Sequence, residues 1–190
     1  MRRHGGRARA PERPAPGYEL LDRRTVWQSR WYTLRQDLLR GPNGREFSYT
    51  VVEHPGSVVI LPITPDGQVV LIRQYRYPVN DWCCELPAGG LGPDSTPEAA
   101  ARRELAEEVG GQAAELCYRG WYYTSNGISD EKAHVFLATG VELGEAQREP
   151  TESMEMHLVP PAEALRMARA GEISDGRAIL ALLWCEPLLP

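Results

Sequence analysis

The sequence predicts a mixed α+β fold, with one main domain preceded by an N-terminal β extension. Three observations indicate this class. Apolar and polar residues alternate over much of the first half of the chain, a helix with clear start and stop signals follows, and two amphipathic helices close the sequence. The 190 residues are enough for one domain with a sizeable core.

The first residues are rich in Arg, Pro and Gly, and they contain no apolar run of the kind that a secretory signal needs. Five arginines there could contact an anionic partner, but the composition favours a disordered, solvated tail. We therefore expect residues 1–17 to be a tail, residues 18–54 to form the β extension, and residues 55–190 to form the main domain.

The β extension should contain two or three strands joined by hairpins, one of them at the turn "GPNG". Two β-branched runs follow, separated by "TPDGQ", which predicts a hairpin with its turn at Asp66-Gly67. The stretch "DWCCELPAGGLGPDS" is typical of a Gly/Pro-rich loop after a short strand.

The next element is a helix whose ends are both signalled. Thr96 can cap it, Pro97 suits its first turn, Glu98 suits its positive end, and Gly110-Gly111 stops it. Two further strands are predicted in "LCYRGWYYTS" and "KAHVFLATGVEL", then a polar loop "GEAQREPTES" and a last strand "MEMHLVP". Two helices, "PAEALRMARAGEI" and "SDGRAILALLWCEPLL", close the chain.

Bulk properties exclude some classes of function. A net charge of −5 argues against nucleic acid as the main partner, and the longest apolar runs are too short to cross a bilayer. The four cysteines are Cys83, Cys84, Cys117 and Cys185. They contain no CxxC pair, so we expect them to be small buried side chains in a reducing cytoplasm.

The central helix carries an unusual cluster of carboxylates. Its apolar stripe is Ala101, Leu105 and Val109, and on the adjoining arc lie three acidic residues, Glu104, Glu107 and Glu108. Like charges at these spacings destabilise a helix. A solvated acidic surface is one explanation. However, the cluster adjoins the packed face and follows a Gly-rich loop, which favours a site for a hard divalent cation.

These residues resemble the signature of the Nudix hydrolases, G-x5-E-x7-R-E-U-x-E-E-x-G-U, where U is bulky and apolar. The matching positions are Gly89, Arg103, Glu104, Leu105, Glu107, Glu108 and Gly110. Ser95 stands where the first Glu is usual, and Gly111 stands where an aliphatic residue is usual. The resemblance implies the Nudix fold, an α/β/α sandwich with a mixed sheet between helices.

From about Trp27 onward the chain is similar to the ADP-ribose pyrophosphatase branch of that family, in segments such as "LIRQYRYPVNDWCCELPAGG" and "YYTSNGISDEKAHVFLA". Members of that branch commonly have Ser-Pro-Gly where this chain has Ser125-Asn126-Gly127. The missing proline leaves the substrate open, though not its class.

The resemblance implies a metal site for Mg²⁺ or Mn²⁺. Glu104 and Glu108 would be direct ligands, Glu107 a direct or water-mediated one, and the Ala88 carbonyl would complete the set. All three glutamates then belong to the catalytic machinery. Arg103 more plausibly orients a glutamate than contacts substrate.

The resemblance also assigns the remaining roles. Glu152 holds the position of the catalytic base, with Glu149 in reserve, although an ordinary solvated loop residue is an alternative for Glu152. The substrate-binding candidates are Arg76, Arg73, Glu85 and Trp27. Arg73 could equally be a surface arginine, and Glu85 could instead hold its loop. Trp27, with Trp31 and Tyr32, could stack on a base or pack in a core.

The implied activity is hydrolysis of ADP-ribose to AMP and ribose 5-phosphate by a cytoplasmic homodimer, with a small nucleoside diphosphate sugar as the substrate. The alternatives are another nucleotide sugar such as GDP-mannose, a non-catalytic nucleotide-sugar sensor, and an RNA-end pyrophosphohydrolase. Intact metal carboxylates count against the sensor, and the acidic net charge counts against RNA.

Overall fold

The structure is a computed structural model that describes residues 17–92, 95–147 and 153–190. The predicted tail therefore lies, except for Gly17, outside the described residues. Three sheets and three α-helices are arranged as a mixed α+β fold, which confirms the predicted class. No helix in the described ranges has the length and apolar character needed to cross a membrane.

The N-terminal extension is an antiparallel sheet of three strands, in the order β1-β2-β3. The strands are β1 (Glu19–Gln28), β2 (Thr33–Arg40) and β3 (Glu46–Glu53). The turn predicted at "GPNG" connects β2 to β3, and Gly44 adopts a left-handed conformation there (φ 76°) that suits glycine. The sequence predicted either two or three strands in this extension, and the structure has three.

The next two strands are β4 (Ser57–Pro62) and β5 (Val69–Arg76). The turn at Asp66-Gly67 is present, but the predicted hairpin is wrong beyond one bridge between Ile63 and Val69. The strands separate because the edges of each are occupied by other partners. Strand β4 pairs with strands of one sheet, and β5 pairs with strands of another.

The Gly/Pro-rich segment after β6 (Asp81–Glu85) is more ordered than a loop. It contains a short strand, β7 (Ala88–Gly90), which pairs antiparallel with the start of β4. This pairing fixes the backbone of Ala88 and Gly89 beside the helix that follows.

Helix α1 (Pro97–Val109) begins and ends where the sequence predicts. The Thr96 hydroxyl accepts a hydrogen bond from the Ala99 amide at 3.2 Å, and Gly110 ends the helix in a left-handed conformation. Strand β8 (Gly111–Tyr123) starts at once, five residues before the predicted strand.

Strand β9 (Lys132–Leu143) runs parallel to β4 and antiparallel to β8, which gives a mixed sheet in the order β7-β4-β9-β8. A third sheet has the order β10-β5-β6. The remaining elements are β10 (Met154–Val159), α2 (Pro161–Ala170) and α3 (Gly176–Cys185), followed by a 3₁₀ turn at Glu186–Leu188.

Alternate residues of β4 and β5 point into two separate cores. Val58 and Ile60 pack with α1, whereas Val59 and Leu61 pack with α2 and α3. The strands are therefore buried on both faces, as layers between helices must be. This is the α/β/α sandwich that the sequence predicts.

The cysteine prediction needs one correction. Cys185 is buried, and Cys83 and Cys84 are half-buried, but Cys117 is exposed. The reason is that β8 lies at the edge of its sheet, so part of its surface faces solvent. All four cysteines are free thiols.

Candidate active site

A cleft of about 800 Å³ lies where the N-terminal sheet, α1, the β7 segment and the start of α3 meet. Side chains from five parts of the chain line it. They include Trp31, Gln74, Arg76, Glu104, Glu108 and Arg177. The cleft therefore brings the acidic helix together with arginines that lie far from it in the sequence, among them Arg76 and Arg177.

Helix α1 places its carboxylates unequally. Glu104 and Glu108 are buried, with 8% and 5% of their surface exposed, whereas Glu107 is only partly buried. The cause is the apolar stripe beside them, because Leu105 and Val109 are each 1% exposed and hold this arc of the helix against the body. Two negative charges buried so close together require cations or hydrogen-bond donors nearby to offset the loss of hydration.

Arg103 supplies part of that compensation. It forms ion pairs with Glu104 at 2.7 Å and Glu107 at 2.8 Å, and it donates to the Gly90 carbonyl at 3.1 Å. Partial burial lowers the pKa of the Arg103 guanidinium, but the two carboxylates outweigh this and raise the pKa overall. Arg103 thus contacts two of the three glutamates, which is compatible with the orienting role expected for it.

The backbone of β7 approaches the same carboxylates. The Ala88 amide donates to a Glu108 carboxylate oxygen at 3.0 Å. A Cβ atom on Gly89 would lie 2.0 Å from the Glu104 carboxylate, so only glycine leaves room for Glu104 at this position. The short strand thus forms a cradle around two glutamates.

Within the described ranges, no three acidic, histidine or cysteine side chains converge closely enough to hold a metal ion as they stand. The side-chain pairing explains this, since Arg103 draws Glu104 and Glu107 towards itself and the Ala88 amide holds Glu108. The donor chemistry nevertheless fits a hard divalent cation, because carboxylate and carbonyl oxygens are the ligands that Mg²⁺ and Mn²⁺ prefer.

The second charged group of the cleft is a pair of arginines around one carboxylate. Arg76 donates to both oxygens of Glu85, at 2.7 and 2.5 Å, and Arg177 donates to one of them at 3.4 Å. Glu85 is 2% exposed. Its hydrogen bonds raise the pKa of Arg76, which therefore stays charged. Glu85 thus pairs with both arginines, a role that differs from the two the sequence analysis considered, substrate contact and holding its loop.

Two other predicted residues do not reach this cleft in the single chain. Arg73 points to the opposite face of β5 from Gln74 and packs over Trp82 at 5.1 Å. Trp27 is 49% exposed on the N-terminal sheet, with its ring 5.4 Å from that of Tyr32. Neither Trp27, Trp31 nor Tyr32 packs in a core, since each is exposed.

Trp31 lines the cleft in place of Trp27. The Arg30 guanidinium lies 4.3 Å from the Trp31 ring centroid, and both residues belong to the β1–β2 turn. The Ser29 hydroxyl accepts from the Trp31 and Tyr32 amides and so fixes this turn. The sequence indicated a group of aromatic residues here, but it did not indicate which of their rings lines the cleft.

Sequence reasoning missed Gln74, Glu131 and Arg177. Glu131 lines the cleft and accepts hydrogen bonds from Ser57 and Thr124, each at 2.7 Å. Arg177 begins α3, far from the glutamates in sequence. Gln74 and Glu131 lie in segments that resemble the ADP-ribose pyrophosphatase branch, but their local sequence does not predict a place in the cleft, because packing of distant elements brings them there. The predicted base, Glu152, and its reserve, Glu149, lie outside the described residues.

Comparisons with known proteins identify the family of this chain. The family model described as "NUDIX domain" matches residues 53–182. An ADP-ribose pyrophosphatase of Bacillus subtilis (strain 168) is 35% identical over 147 residues, which cover 76% of this chain and 80% of that protein. A GDP-mannose pyrophosphatase of Escherichia coli O9:H4 (strain HS) is 33% identical over 144 residues, which cover 69% and 73%.

A solved structure titled "Crystal structure of ADP compounds hydrolase" superposes with a TM-score of 0.79 at 23% identity. The match covers 90% of this chain and 93% of that one. At this identity the likeness concerns the fold alone.

Proposed function

Because this chain belongs to the Nudix family of hydrolases, we propose that it is a divalent-metal-dependent pyrophosphatase that converts ADP-ribose to AMP and ribose 5-phosphate. One observation carries the proposal. A single cleft holds buried carboxylates suited to a metal and an arginine, Arg76, suited to phosphate. The ADP-ribose pyrophosphatase of Bacillus subtilis, which matches most of the chain, supports the choice of substrate.

The metal ligands in this proposal are the carboxylates of Glu104 and Glu108, the carboxylate of Glu107 directly or through water, and the Ala88 carbonyl. Bound there, Mg²⁺ or Mn²⁺ would neutralise phosphate charge and lower the pKa of a water molecule. The burial of Glu104 and Glu108 supports the assignment, because two desolvated carboxylates attract a dication more strongly than exposed ones. Arg103 orients two of the three side chains.

Arg76 binds a phosphate of the substrate. Glu85 uses Nε and Nη2 of Arg76 and fixes the plane of the guanidinium. A guanidinium held in place loses less entropy when it binds an anion, which favours tight and well-oriented binding. Arg73 is a second candidate for phosphate contact, and it would act on the site of a neighbouring subunit, since it lies outside the cleft of its own chain.

Glu152 is the catalytic base in this proposal, with Glu149 as the alternative. A carboxylate within hydrogen-bond reach of the attacking water takes its proton as the bond to phosphorus forms. The family resemblance of the "REPTESMEM" segment supports the assignment.

The aromatic residues of the N-terminal sheet bind the base and join two copies of the chain. Trp31 lines the cleft of its own chain, so a purine can stack on it. Trp27 lies outside that cleft and serves the site through a homodimer. The exposure of both rings supports this, since neither has a role within the monomer core.

We place the enzyme in the cytoplasm. Four free thiols, one of them exposed at Cys117, suit a reducing compartment better than an oxidising one.

Another nucleoside diphosphate sugar, GDP-mannose, is the alternative substrate. The Escherichia coli GDP-mannose pyrophosphatase matches about two thirds of the chain, and Asn126 replaces the proline common in the ADP-ribose branch. The two substrates share the pyrophosphate and differ in the base and the terminal sugar. The same metal and arginine residues would therefore serve both.

A substrate panel tests the proposal. The purified protein is incubated with Mg²⁺ and a set of nucleoside diphosphate derivatives, and the products are identified by mass spectrometry. We expect the highest kcat/KM for ADP-ribose, with AMP and ribose 5-phosphate as products. A higher kcat/KM for GDP-mannose would select the alternative, and no cleavage of any compound would refute a pyrophosphatase.

A further inference from the structure

A chain of ion pairs runs from the start of α3 to the cleft. Asp175 accepts a hydrogen bond from Arg177 Nε at 3.2 Å, Arg177 donates to Glu85 Oε2 at 3.4 Å, and Glu85 binds Arg76. The four residues come from three elements: the N-cap and first turn of α3, the end of β6 and the end of β5. Arg76 is thus the last member of a network that begins on a helix.

The geometry of Arg76 shows what the network fixes. A guanidinium is planar, with donors on two edges. Glu85 occupies the edge formed by Nε and Nη2, at 2.7 and 2.5 Å. The Nη1 group is then on the side away from Glu85 and has no partner in the described part of the chain. The orientation of the Glu85 carboxylate therefore sets where the remaining donors of Arg76 point.

Arg177 is a second partner of that carboxylate. Glu85 is 2% exposed, and a carboxylate so deeply buried is held by its partners and not by water. Arg177 contacts Oε2, the same oxygen that accepts from Arg76 Nη2. Arg177 is itself held by Asp175, which also caps α3 by accepting from the Ala178 amide at 3.1 Å. The network is thereby attached to a helix whose inner face is fully buried in the core.

The carboxylates of the network are shielded from water more than its arginines are. The side chains of Glu85 and Asp175 are 3% and 16% exposed, whereas Arg76 and Arg177 also line the cleft. The hydroxyl group of Tyr122 is buried and has no hydrogen-bond partner in the described ranges. The charges of Arg177 and Asp175 both influence its pKa. Burial raises the pKa of Tyr122 to about 12. Ion pairs to such shielded carboxylates are screened less than fully exposed surface pairs.

We propose that Arg177 is a positioning residue, which acts through Glu85 to hold the Arg76 guanidinium ready for a phosphate of the substrate. This inference rests on the proposed function, because it takes the ligand of Arg76 to be the pyrophosphate. It assigns Arg177 no contact with the substrate. Its contribution is to binding, so removal of its charge changes KM and leaves kcat close to that of the wild type.

A double-mutant cycle tests this inference. Arg177→Met keeps much of the side-chain volume and removes the charge, and it should raise KM about tenfold with kcat within about twofold of the wild type. Arg177→Lys restores a cation that can reach one carboxylate oxygen, so its KM should stay within about threefold of the wild type. In an Arg76→Met background, Arg177→Met should change KM by less than about twofold, because the residue through which it acts is gone.

Arg169→Met is the matched control, since Arg169 is an exposed arginine on α2 that pairs with Glu186 far from Glu85. Its KM should equal that of the wild type. Melting temperatures are recorded for all variants.

Three outcomes would overturn the inference: an unchanged KM in Arg177→Met, an equal KM effect of Arg177→Met with and without Arg76, or a fall in kcat that follows the melting temperature. The second would mean direct contact with substrate, and the third a structural role only. Turnover by the wild type, measured first, tests the proposed function separately, and a wild type without activity would refute both.

Discussion

Gly89 and Gly90 are neighbours in β7, and both line the cleft, but a methyl group would meet different surroundings at each. A Cβ on Gly89 would lie 2.0 Å from Glu104 carboxylate atoms, whereas a Cβ on Gly90 meets no atom within 4 Å. Gly89→Ala should therefore displace a metal-binding carboxylate. We expect kcat/KM to fall by about a hundredfold or more, measured with saturating Mg²⁺.

Gly90→Ala is the control for that experiment. Its kcat/KM should fall by less than about threefold, because the added methyl group displaces nothing. Far-ultraviolet circular dichroism of both variants should match the wild type. Equal activity of the two variants would show that close approach of β7 to Glu104 is not needed for catalysis.

The proposed base gives a second prediction at the scale of single residues. Glu152→Gln removes the proton acceptor and keeps the size of the side chain. We expect metal affinity, measured by isothermal titration calorimetry, to stay unchanged while kcat falls by about two orders of magnitude or more.

Glu149→Gln is the companion variant, because Glu149 is the reserve candidate in the same segment. Its kcat should stay near that of the wild type. If Glu149→Gln loses activity and Glu152→Gln keeps it, the base is Glu149. Near-normal turnover in both variants would remove this segment from proton transfer.

At the scale of elements, α1 is the part of the fold on which the site depends most. It carries all three proposed carboxylate ligands, and its first turn is held by the Thr96 hydroxyl through the Ala99 amide. Thr96→Ala removes this cap and should lower the free energy of unfolding by about 1 kcal/mol. For a chain of this size, the melting temperature should fall by about 2–4 °C, measured by differential scanning calorimetry.

Ser95→Ala is the matched control for the cap. Ser95 precedes Thr96, and its hydroxyl donates to the Thr96 carbonyl without satisfying a helix amide. Its melting temperature should be within about 1 °C of the wild type, as expected for a surface change away from a cap. A Thr96→Ala variant as stable as Ser95→Ala would show that the cap adds nothing to stability.

Strand pairing is the part of the element structure that the sequence did not determine. The turn at Asp66-Gly67 was predicted from local chemistry, and it forms. The hairpin that such a turn suggests does not extend, because β4 and β5 each have two edges and those edges bind other strands. A β-branched run specifies a buried strand, but not which neighbours it will have.

At the scale of the whole molecule, the N-terminal sheet lacks a core of its own. None of the apolar residues in strands β1 to β3 belongs to either of the two core clusters found among the described residues. Leu20, Val26 and Trp27 are each about half exposed. A three-stranded sheet in water needs a packed face, so this exposure supports the homodimer that we propose.

We expect sedimentation equilibrium to give twice the chain mass of 21.2 kDa. Trp27→Glu places a charge among the exposed apolar groups of this sheet and should weaken the dimer about a hundredfold, because a buried unpaired charge is costly. Leu188→Glu makes the same kind of change at an exposed position after α3 and should leave the mass unaltered. A monomeric wild type would refute the homodimer.

The sequence by itself determined the fold class, the bounds of α1, and the grouping of Glu104, Glu107 and Glu108 with their nearby glycine. These are local features, because helix caps, the period of 3.6 residues and a contiguous signature are all contained in a short segment. It also supplied the family resemblance that the comparisons bear out.

Only the tertiary structure decided which residues join those carboxylates in one cleft. Trp31, Gln74 and Arg177 come from elements separated by long stretches of chain. Trp27 and Arg73, both candidates from the sequence, lie outside the cleft of the single chain. The physical reason is that strand pairing and the packing of α3 on the sandwich set these distances. Such contacts depend on many buried residues at once, and no short segment contains them.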